Sequence, residues 1–245
     1  MSDTSTAKAL LDTFSRIVVI NLPDRADRRR EIDAELRRAG LSLDHPAVEL
    51  FAAQRPTEAA GFPSIGAHGA FRSHLGVMER MLDQGWDRVL ILEDDMAFAP
   101  GFDSRLPALA AALQTRAWGM IYGHPGDQPA KTPAADADGL ITLPADLGLI
   151  QLHFFGLTRT FAETTVPILR AMMTRPEGSP DGGPMHVDGA LNWVRRSHPE
   201  LIALGIAPQI AQQRASRSDI ADGHWYDQLP VVRNFVSLIR GMRRS

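Results

Sequence analysis

Three consecutive acidic residues, Glu93, Asp94 and Asp95, follow directly after the apolar run Val89–Leu92. An apolar run of this length is typical of a buried strand, and the three carboxylates repel one another at close range. In open α/β sheets, ligands bind beyond the carboxyl ends of the strands, which is where this triplet lies. Carboxylates suit a hard divalent cation such as Mn²⁺ or Mg²⁺, and Mg²⁺ is often held by one or two of them together with substrate phosphates. The triplet indicates a cation site, and a solvated acidic loop is the alternative interpretation.

The composition of the 245-residue chain is that of a folded globular protein, with 44% hydrophobic and 22% charged residues. A net charge of −3 gives no general electrostatic attraction to nucleic acid. The absence of cysteine excludes disulfides, thiolate nucleophiles and cysteine zinc sites. We find no signal peptide and no apolar run of transmembrane length. These features predict a soluble, cytoplasmic protein.

The elements that must position the acids alternate along the first half of the chain. Apolar runs of strand length are separated by segments with apolar residues at helical spacing. This alternation favours an α/β fold with a mostly parallel central sheet flanked by helices. The predicted strands are Arg16–Leu22, Val48–Ala53, Val89–Leu92 and Gly119–Gly123, and the predicted helices are Asp27–Gly40, Ala67–Gly85 and Phe102–Leu113. In the less regular second half we predict a strand or hairpin arm at Leu149–Arg159, helices at Phe161–Met173 and His186–Arg196, and a late strand near Ile206.

Four segments occur in an order that resembles a known enzyme family: INLPDRADRRRE, GAHGAFRSH, VLILEDD and IAPQIAQQRASRSDI. Together they resemble glycosyltransferase family 25, which includes bacterial lipopolysaccharide β-galactosyltransferases and collagen galactosyltransferases. The resemblance extends from Ile17 to Ile220 and is most specific at Ser73-His74 and the acidic triplet. It implies a GT-A-like nucleotide-sugar-binding fold, a nucleotide-diphosphate sugar donor such as a UDP-sugar, a metal-dependent acidic motif and an inverting mechanism.

The resemblance assigns roles around the nucleotide to several residues outside the triplet. Asn21, Leu22 and Arg28 match the motif of the first strand, which borders the nucleotide. An arginine there can offer a planar guanidinium to the diphosphate or base, or it can simply solvate the first helix. Ser73 and His74 match the Ser-His pair of the second helix and are expected to support the sugar-nucleotide pocket. A lone histidine on a helix is otherwise usually a core or capping group.

Within the triplet, the resemblance places Glu93 and Asp94 at the donor, and Asp95 together with Glu93 at a divalent metal, Mn²⁺ or Mg²⁺. His224, in the segment ADGHWYD, is a further candidate metal ligand, and a surface histidine is the alternative interpretation. The expected partners are therefore a nucleotide-diphosphate sugar and a glycan, lipid-linked or small-molecule acceptor.

An inverting transfer needs a general base that removes the proton of the acceptor hydroxyl. Asp188, in the segment PMHVDGALNW, matches an aspartate of the family and is the candidate for this base. His186 is the local rival. An acidic residue in the first turn of a helix also complements the helix dipole, which is the structural alternative.

The predicted organisation is one glycosyltransferase domain over residues 1–245. Residues 16–125 form its nucleotide-sugar-binding half, residues 140–228 its acceptor side, and residues 229–245 a basic amphipathic tail. The tail either packs on the domain or rests on an anionic membrane surface. The second option would place the protein peripherally on the inner face of a membrane, close to a lipid-linked acceptor.

Three other functions are compatible with parts of the sequence. A catalytically inactive relative would bind the sugar nucleotide without transferring sugar. This option arises because Ala70-Phe71-Arg72 stands where the family often has a cysteine, and Gln151–Gly156 follows the family only loosely. A receiver-type signalling domain is disfavoured because it needs a late lysine, and no lysine follows Lys131. A glycosidase is disfavoured because three adjacent acids cannot easily flank one glycosidic bond.

Overall fold

The computed structural model of the protein describes residues 3–124 and 131–214, which lie within one compact unit, Met1–Ala215. The helices are α1 Asp3–Thr13, α2 Ala26–Arg38, α3 Ile65–Asp83, α4 Phe102–Thr115, α5 Arg159–Thr174 and α6 Val187–Ser197. The strands are β1 Arg16–Asn21, β2 Val48–Ala52, β3 Arg88–Glu93, β4 Met96–Phe98, β5 Met120–Tyr122, β6 Leu140–Leu143, β7 Phe154–Thr158, β8 Ala203–Ile206 and β9 Ala211–Gln213.

Among the described residues, seven strands form the central sheet in the order β2-β1-β3-β7-β5-β8-β6. The strand β1 pairs in parallel with β2 and β3, and β5 pairs in parallel with β8. Only β7 and β6 run against their neighbours, so five of the seven strands point the same way. The predicted α/β fold with a mostly parallel central sheet flanked by helices is therefore confirmed.

Helices cover both faces of this sheet, and β3 shows the consequence. Its side chains alternate, with Val89 and Ile91 packed in one core and Leu90 and Leu92 in the other. Buried residues of α3, α5 and α6 belong to the first core, and those of α1, α2 and α4 to the second. A strand that is buried on both faces reads as a continuous apolar run, which is why this strand is visible in the sequence.

The described part of the chain also contains a two-stranded sheet, in which β4 pairs with β9. The pairing is antiparallel and places Met96 opposite Gln213 and Phe98 opposite Ala211. The late strand β9 therefore returns to the turn that joins β3 to β4, where Asp94 and Asp95 lie. Neither β4 nor β9 is among the predicted strands, because three residues carry little periodicity and, unlike β5, these strands are not bounded by glycines.

No helix in residues 3–124 or 131–214 is long and apolar enough to cross a membrane. His224 and the tail at 229–245 lie outside the described residues. The division of the chain into a nucleotide-sugar half, an acceptor half and a tail therefore stays a prediction.

Candidate functional site

The acidic triplet lies at the carboxyl end of a central strand, as its position in the sequence predicts. Glu93 is the last residue of β3, and Asp94 and Asp95 form the turn that leads into β4. Both aspartates are only 7% exposed. A solvated acidic loop would leave its carboxylates in water, so that alternative interpretation does not describe this turn.

Asp94 is neutralised by the chain itself. Its Oδ1 accepts a hydrogen bond of 2.8 Å from Nη1 of Arg28 on α2. Its Oδ2 accepts a second bond of 2.8 Å from Nδ2 of Asn21 at the end of β1. The guanidinium of Arg28 is buried and also lies 3.5 Å from Oδ2 of Asp95. Asn21 and Arg28 thus stand beside the acids and bind Asp94 directly, and the role predicted for them at the nucleotide stays a prediction.

Asp95 is held differently, because one of its carboxylate oxygens is left open. Its Oδ2 accepts a hydrogen bond of 2.9 Å from Nε2 of Gln213, and its backbone carbonyl accepts one of 2.8 Å from the amide of Arg214. Its Oδ1 is buried and has no hydrogen-bond partner within the described residues. Burial, followed by the charge of Glu93, raises the pKa of Asp95 to about 6. The environment therefore disfavours the charge of Asp95 unless a further cation arrives.

Glu93 is held from two sides. Nε2 of His74, on α3, lies 3.1 Å from its Oε1, and the backbone carbonyl of His153 accepts 3.2 Å from its amide. Burial alone would raise the pKa of Glu93, but the hydrogen bond and charge of His74 bring that pKa below its ordinary value. His74 is almost fully buried, at 1% exposure, so its ring is fixed by packing. The structure thus places this histidine against Glu93, and its predicted support of the sugar-nucleotide pocket stays a prediction.

Asp188 comes to the same site from the other half of the chain. It lies in the first turn of α6, and its Oδ1 accepts 2.7 Å from the amide of Gly189. Burial raises the pKa of Asp188; the charge of Glu93 acts in the same direction, and the Gly189 amide and His186 act against it. Glu93 and Asp188 are therefore close enough to influence each other's charge. His186, the rival candidate, immediately precedes α6.

The hydroxyl of Ser73 and the carbonyl of Leu22 form hydrogen bonds with backbone atoms. The hydroxyl of Ser73 donates 2.7 Å to the carbonyl of Gly69 and accepts 2.8 Å from the amide of Gln54. It therefore ties α3 to the segment that follows β2. The carbonyl of Leu22 accepts 2.9 Å from the amide of Arg25 in the turn after β1. These contacts shape the rim of the site, and a direct role for either residue at the nucleotide stays a prediction.

The structure adds residues that the sequence analysis does not single out. Gln213 and Arg214 reach the acidic turn because β9 pairs with β4. Nη2 of Arg214 donates a hydrogen bond of 2.6 Å to the backbone carbonyl of Asp94. The rings of His124 and His153 stack with centroids 5.4 Å apart. Burial, followed by His124, lowers the pKa of His153 to about 4, so this ring is neutral at neutral pH. The sequence signals were a histidine next to an apolar run and the segment IAPQIAQQRASRSDI, which contains Gln213 and Arg214.

Comparison with known proteins points to one family, although no family model matches the chain. A "Glycosyltransferase 25 family member" of Anopheles gambiae is 32% identical over 127 residues, which are 45% of this chain and 22% of that protein. A protein of the same description from Drosophila pseudoobscura pseudoobscura is 32% identical over 150 residues, covering 53% and 24%. The "Inactive glycosyltransferase 25 family member 3" of Homo sapiens is 27% identical over 142 residues, covering 50% and 24%. The resemblance to glycosyltransferase family 25 is confirmed.

The chain spans less than a quarter of the length of these family 25 proteins. Two solved structures are similar over most of the chain. A glycosyltransferase involved in the glycosylation of the major capsid of PBCV-1 has a TM-score of 0.44 at 10% identity and covers 83% of this chain and 93% of its own. A UDP-glucose pyrophosphorylase from Acinetobacter baumanii has a TM-score of 0.46 at 9% identity, and the match covers 98% of this chain and 88% of that protein. Scores below 0.5 describe a loose likeness, so the fold class rests on the sheet itself.

The metal that family 25 implies can be tested against the donor atoms. Residues 3–124 and 131–214 contain no group of three or more His, Cys, Asp or Glu side chains arranged to hold a metal ion. A cation held by one or two carboxylates and completed by phosphates does not need such a group. Asp95 fits this role through its open Oδ1, with Glu93 beside it, whereas both oxygens of Asp94 already accept hydrogen bonds. His224 lies outside the described residues, so its role as a ligand stays a prediction.

Proposed function

We propose that the chain is a metal-dependent, inverting glycosyltransferase with a GT-A-like core. It would move a hexose from a nucleotide-diphosphate sugar, in the first place a UDP-sugar, to a glycan, lipid-linked or small-molecule acceptor. The similarity to family 25 supports sugar transfer as the type of reaction. The observation that carries the proposal is that the half-buried Asp188 interacts with the charge of Glu93, the last residue of the central strand β3.

The acids of the β3–β4 turn would serve the donor. Asp94 fixes the turn by binding Asn21 and Arg28, and this leaves Asp95 as the carboxylate with an open oxygen. When bound at Asp95 and Glu93, a divalent cation would act as a Lewis acid that stabilises the departing diphosphate. Asp95 resists ionisation in the structure as it stands, so binding of a cation would relieve an existing electrostatic penalty.

Asp188 would serve the acceptor as general base. In an inverting transfer the acceptor oxygen attacks the anomeric carbon as the bond to the diphosphate breaks, and the acceptor proton passes to the base. A base is most effective when its pKa lies near the working pH, and burial moves the pKa of Asp188 upward in that direction. His74 and the carbonyl of His153 would hold Glu93 in place at the same time.

A second candidate function is binding of the sugar nucleotide without transfer. It is favoured by the names of the Homo sapiens and Mus musculus proteins, which are described as inactive and are each 27% identical to this chain. The two functions differ in turnover and not in donor binding. An experiment that measures both quantities separates them.

The deciding experiment incubates the purified chain with a panel of nucleotide sugars and Mn²⁺, with and without a chelator, and measures the released nucleotide diphosphate. Asp188→Asn is the test variant, and Asp181→Asn, at an exposed acid just before α6, is its control. Release by the wild type and the control, with donor binding but little release in Asp188→Asn, is the expected result. Binding without release in the wild type would support the inactive relative. Neither binding nor release with any donor would overturn both functions.

A further inference from the structure

The helix α6 carries a polar stripe that extends beyond the proposed base. Asp188, Asn192 and Arg195 are spaced four and three residues apart, so their side chains leave the same face of the helix. Asp188 is half-buried and interacts with the charge of Glu93, whereas Asn192 and Arg195 are buried, at 8% and 1% exposure. Charged and amide side chains are rarely buried this deeply unless hydrogen bonds compensate for the loss of hydration.

Both buried residues bind the irregular stretch between β6 and β7, residues 144–153, which we call the β6–β7 segment. The amide group of Asn192 binds Leu149 at both polar backbone atoms, donating 2.6 Å to its carbonyl and accepting 3.0 Å from its N–H. Arg195 donates 2.7 Å to the carbonyl of Leu147 and 2.6 Å to that of Pro144. These side chains replace the strand partner that the segment lacks at these positions, since a buried backbone must satisfy its polar groups.

The role of Arg195 is to bind backbone and not to neutralise an acid. In the part of the chain that the structure describes, its guanidinium donates hydrogen bonds to backbone carbonyls and to the Oδ1 of Asn192, and to no carboxylate. An apolar side chain of similar size would avoid the cost of burying a charge but would leave the carbonyls without donors. A guanidinium is suited to this task because it donates in several directions from one rigid plane.

The other end of the β6–β7 segment reaches the acidic triplet. The carbonyl of His153 accepts 3.2 Å from the amide of Glu93, and the carbonyl of Gln151 lies 3.4 Å from Nε2 of His124. Gln151 has a φ of 71°, a conformation that a non-glycine residue adopts only when its surroundings impose it. One segment therefore contacts Glu93 directly and is also bound by Asn192 and Arg195, which lie about one and two helical turns after Asp188.

We propose that Asn192 and Arg195 are positioning residues, which hold Asp188 in register with Glu93 by clamping the β6–β7 segment. The inference rests on the proposed function, in which Asp188 acts on the acceptor while the β1, α2 and β3 side binds the donor. Loss of the clamp should therefore lower kcat and leave donor affinity nearly unchanged. A displacement of about 1 Å at a reacting group can cost about 100-fold in rate, which sets the expected size of the effect.

The test compares Asn192→Leu, Arg195→Met and Arg195→Lys with Arg196→Met, a matched control at the exposed neighbouring arginine. The measurements are kcat, KM for the donor, binding of the nucleotide diphosphate with Mn²⁺, and exchange of the Glu93 amide hydrogen. We expect kcat to fall about 100-fold in the first two variants with KM changed less than about threefold. Arg195→Lys should recover part of the rate because it restores one donor, and Arg196→Met should match the wild type.

Different failures have different meanings. If donor affinity falls together with kcat in Asn192→Leu, or if Arg195→Lys is no better than Arg195→Met, the residues are merely structural and the positioning role is overturned. If the wild type transfers no sugar, the proposed function fails, and exchange at Glu93 still decides the coupling. Faster exchange in Asn192→Leu supports the clamp, and unchanged exchange overturns it. Arg195→Lys keeps a cation at this position. If Asn192→Leu or Arg195→Met fails to fold, kcat, donor KM and exchange of the Glu93 amide are measured in Arg195→Lys instead.

Discussion

Replacing Asp95 by asparagine is expected to stabilise the protein at pH 8 in the absence of divalent cations. The change removes a negative charge and keeps the shape of the side chain, including an oxygen that can accept from Gln213. Burial and the charge of Glu93 raise the pKa of Asp95 from an ordinary value of 3.8 to about 6 in the folded protein. Because the carboxylate is ionised against this resistance at pH 8, its removal should be favourable.

The size and sign of the effect follow from the two pKa values. Between about pH 4 and pH 6 the folded protein binds more protons than the unfolded chain at this position, so the free energy of unfolding of the wild type falls as the pH rises. At about 1.4 kcal/mol for each pKa unit, the difference amounts to about 3 kcal/mol at pH 8 and to about half of that at pH 5. Asparagine does not titrate and lacks this term. The free energy of unfolding of Asp95→Asn should therefore be higher than that of the wild type by about 3 kcal/mol at pH 8 and by about half of that at pH 5.

Unfolding in urea with a chelator present, at pH 5 and pH 8, measures the difference directly. Asp94→Asn is the matched comparison, because Asp94 accepts from Arg28 and Asn21 and its charge is satisfied. The free energy of unfolding of Asp94→Asn should be lower than that of the wild type by about 2–4 kcal/mol at pH 8, because the change removes one partner of a buried ion pair. The reasoning is refuted if Asp95→Asn is no more stable than the wild type at pH 8, or if its advantage does not shrink at pH 5.

Three further outcomes are expected. Asp188→Ala should lower turnover by about 10²- to 10⁴-fold with donor affinity unchanged, as single-turnover kinetics and calorimetry can measure; near-normal turnover would move the role of base to His186. Ser73→Ala should cost about 1–3 kcal/mol of stability in urea unfolding because it leaves the amide of Gln54 without its partner, and nucleotide affinity should change less than it does in Asp95→Asn. A chain ending at Gln228 should lose the salt-sensitive sedimentation with anionic liposomes that we expect of the full-length chain, because four arginines near such a surface contribute roughly 1 kcal/mol each. Equal partitioning of the full-length and shortened chains would exclude membrane contact by the tail.

Much of the framework could be predicted from local sequence patterns. Each of the helices α2 to α6 begins and ends within two residues of its prediction, because long segments with apolar residues at helical spacing have one stable way to bury them. The apolar run before Glu93 predicts a strand, and the topology of open α/β sheets predicts a site at its carboxyl end. The direction of β7 could not be predicted in the same way. An apolar run that is buried on both faces pairs equally well in parallel and antiparallel sheets, and only the tertiary fold inserts β7 antiparallel between β3 and β5.

The sequence by itself predicted three carboxylates at a strand end, and the resemblance to family 25 assigned roles at the active site to Arg28, His74 and Asp188. The tertiary structure decided how the charges are shared. It pairs Arg28 with Asp94, gives His74 to Glu93, and leaves an oxygen of Asp95 open. These differences arise from α2, α3 and β9, which reach the turn from distant parts of the chain, and contacts over such separations leave no periodic signal between adjacent residues. All three residues supply a carboxylate, and their separate roles exist only once the chain is folded.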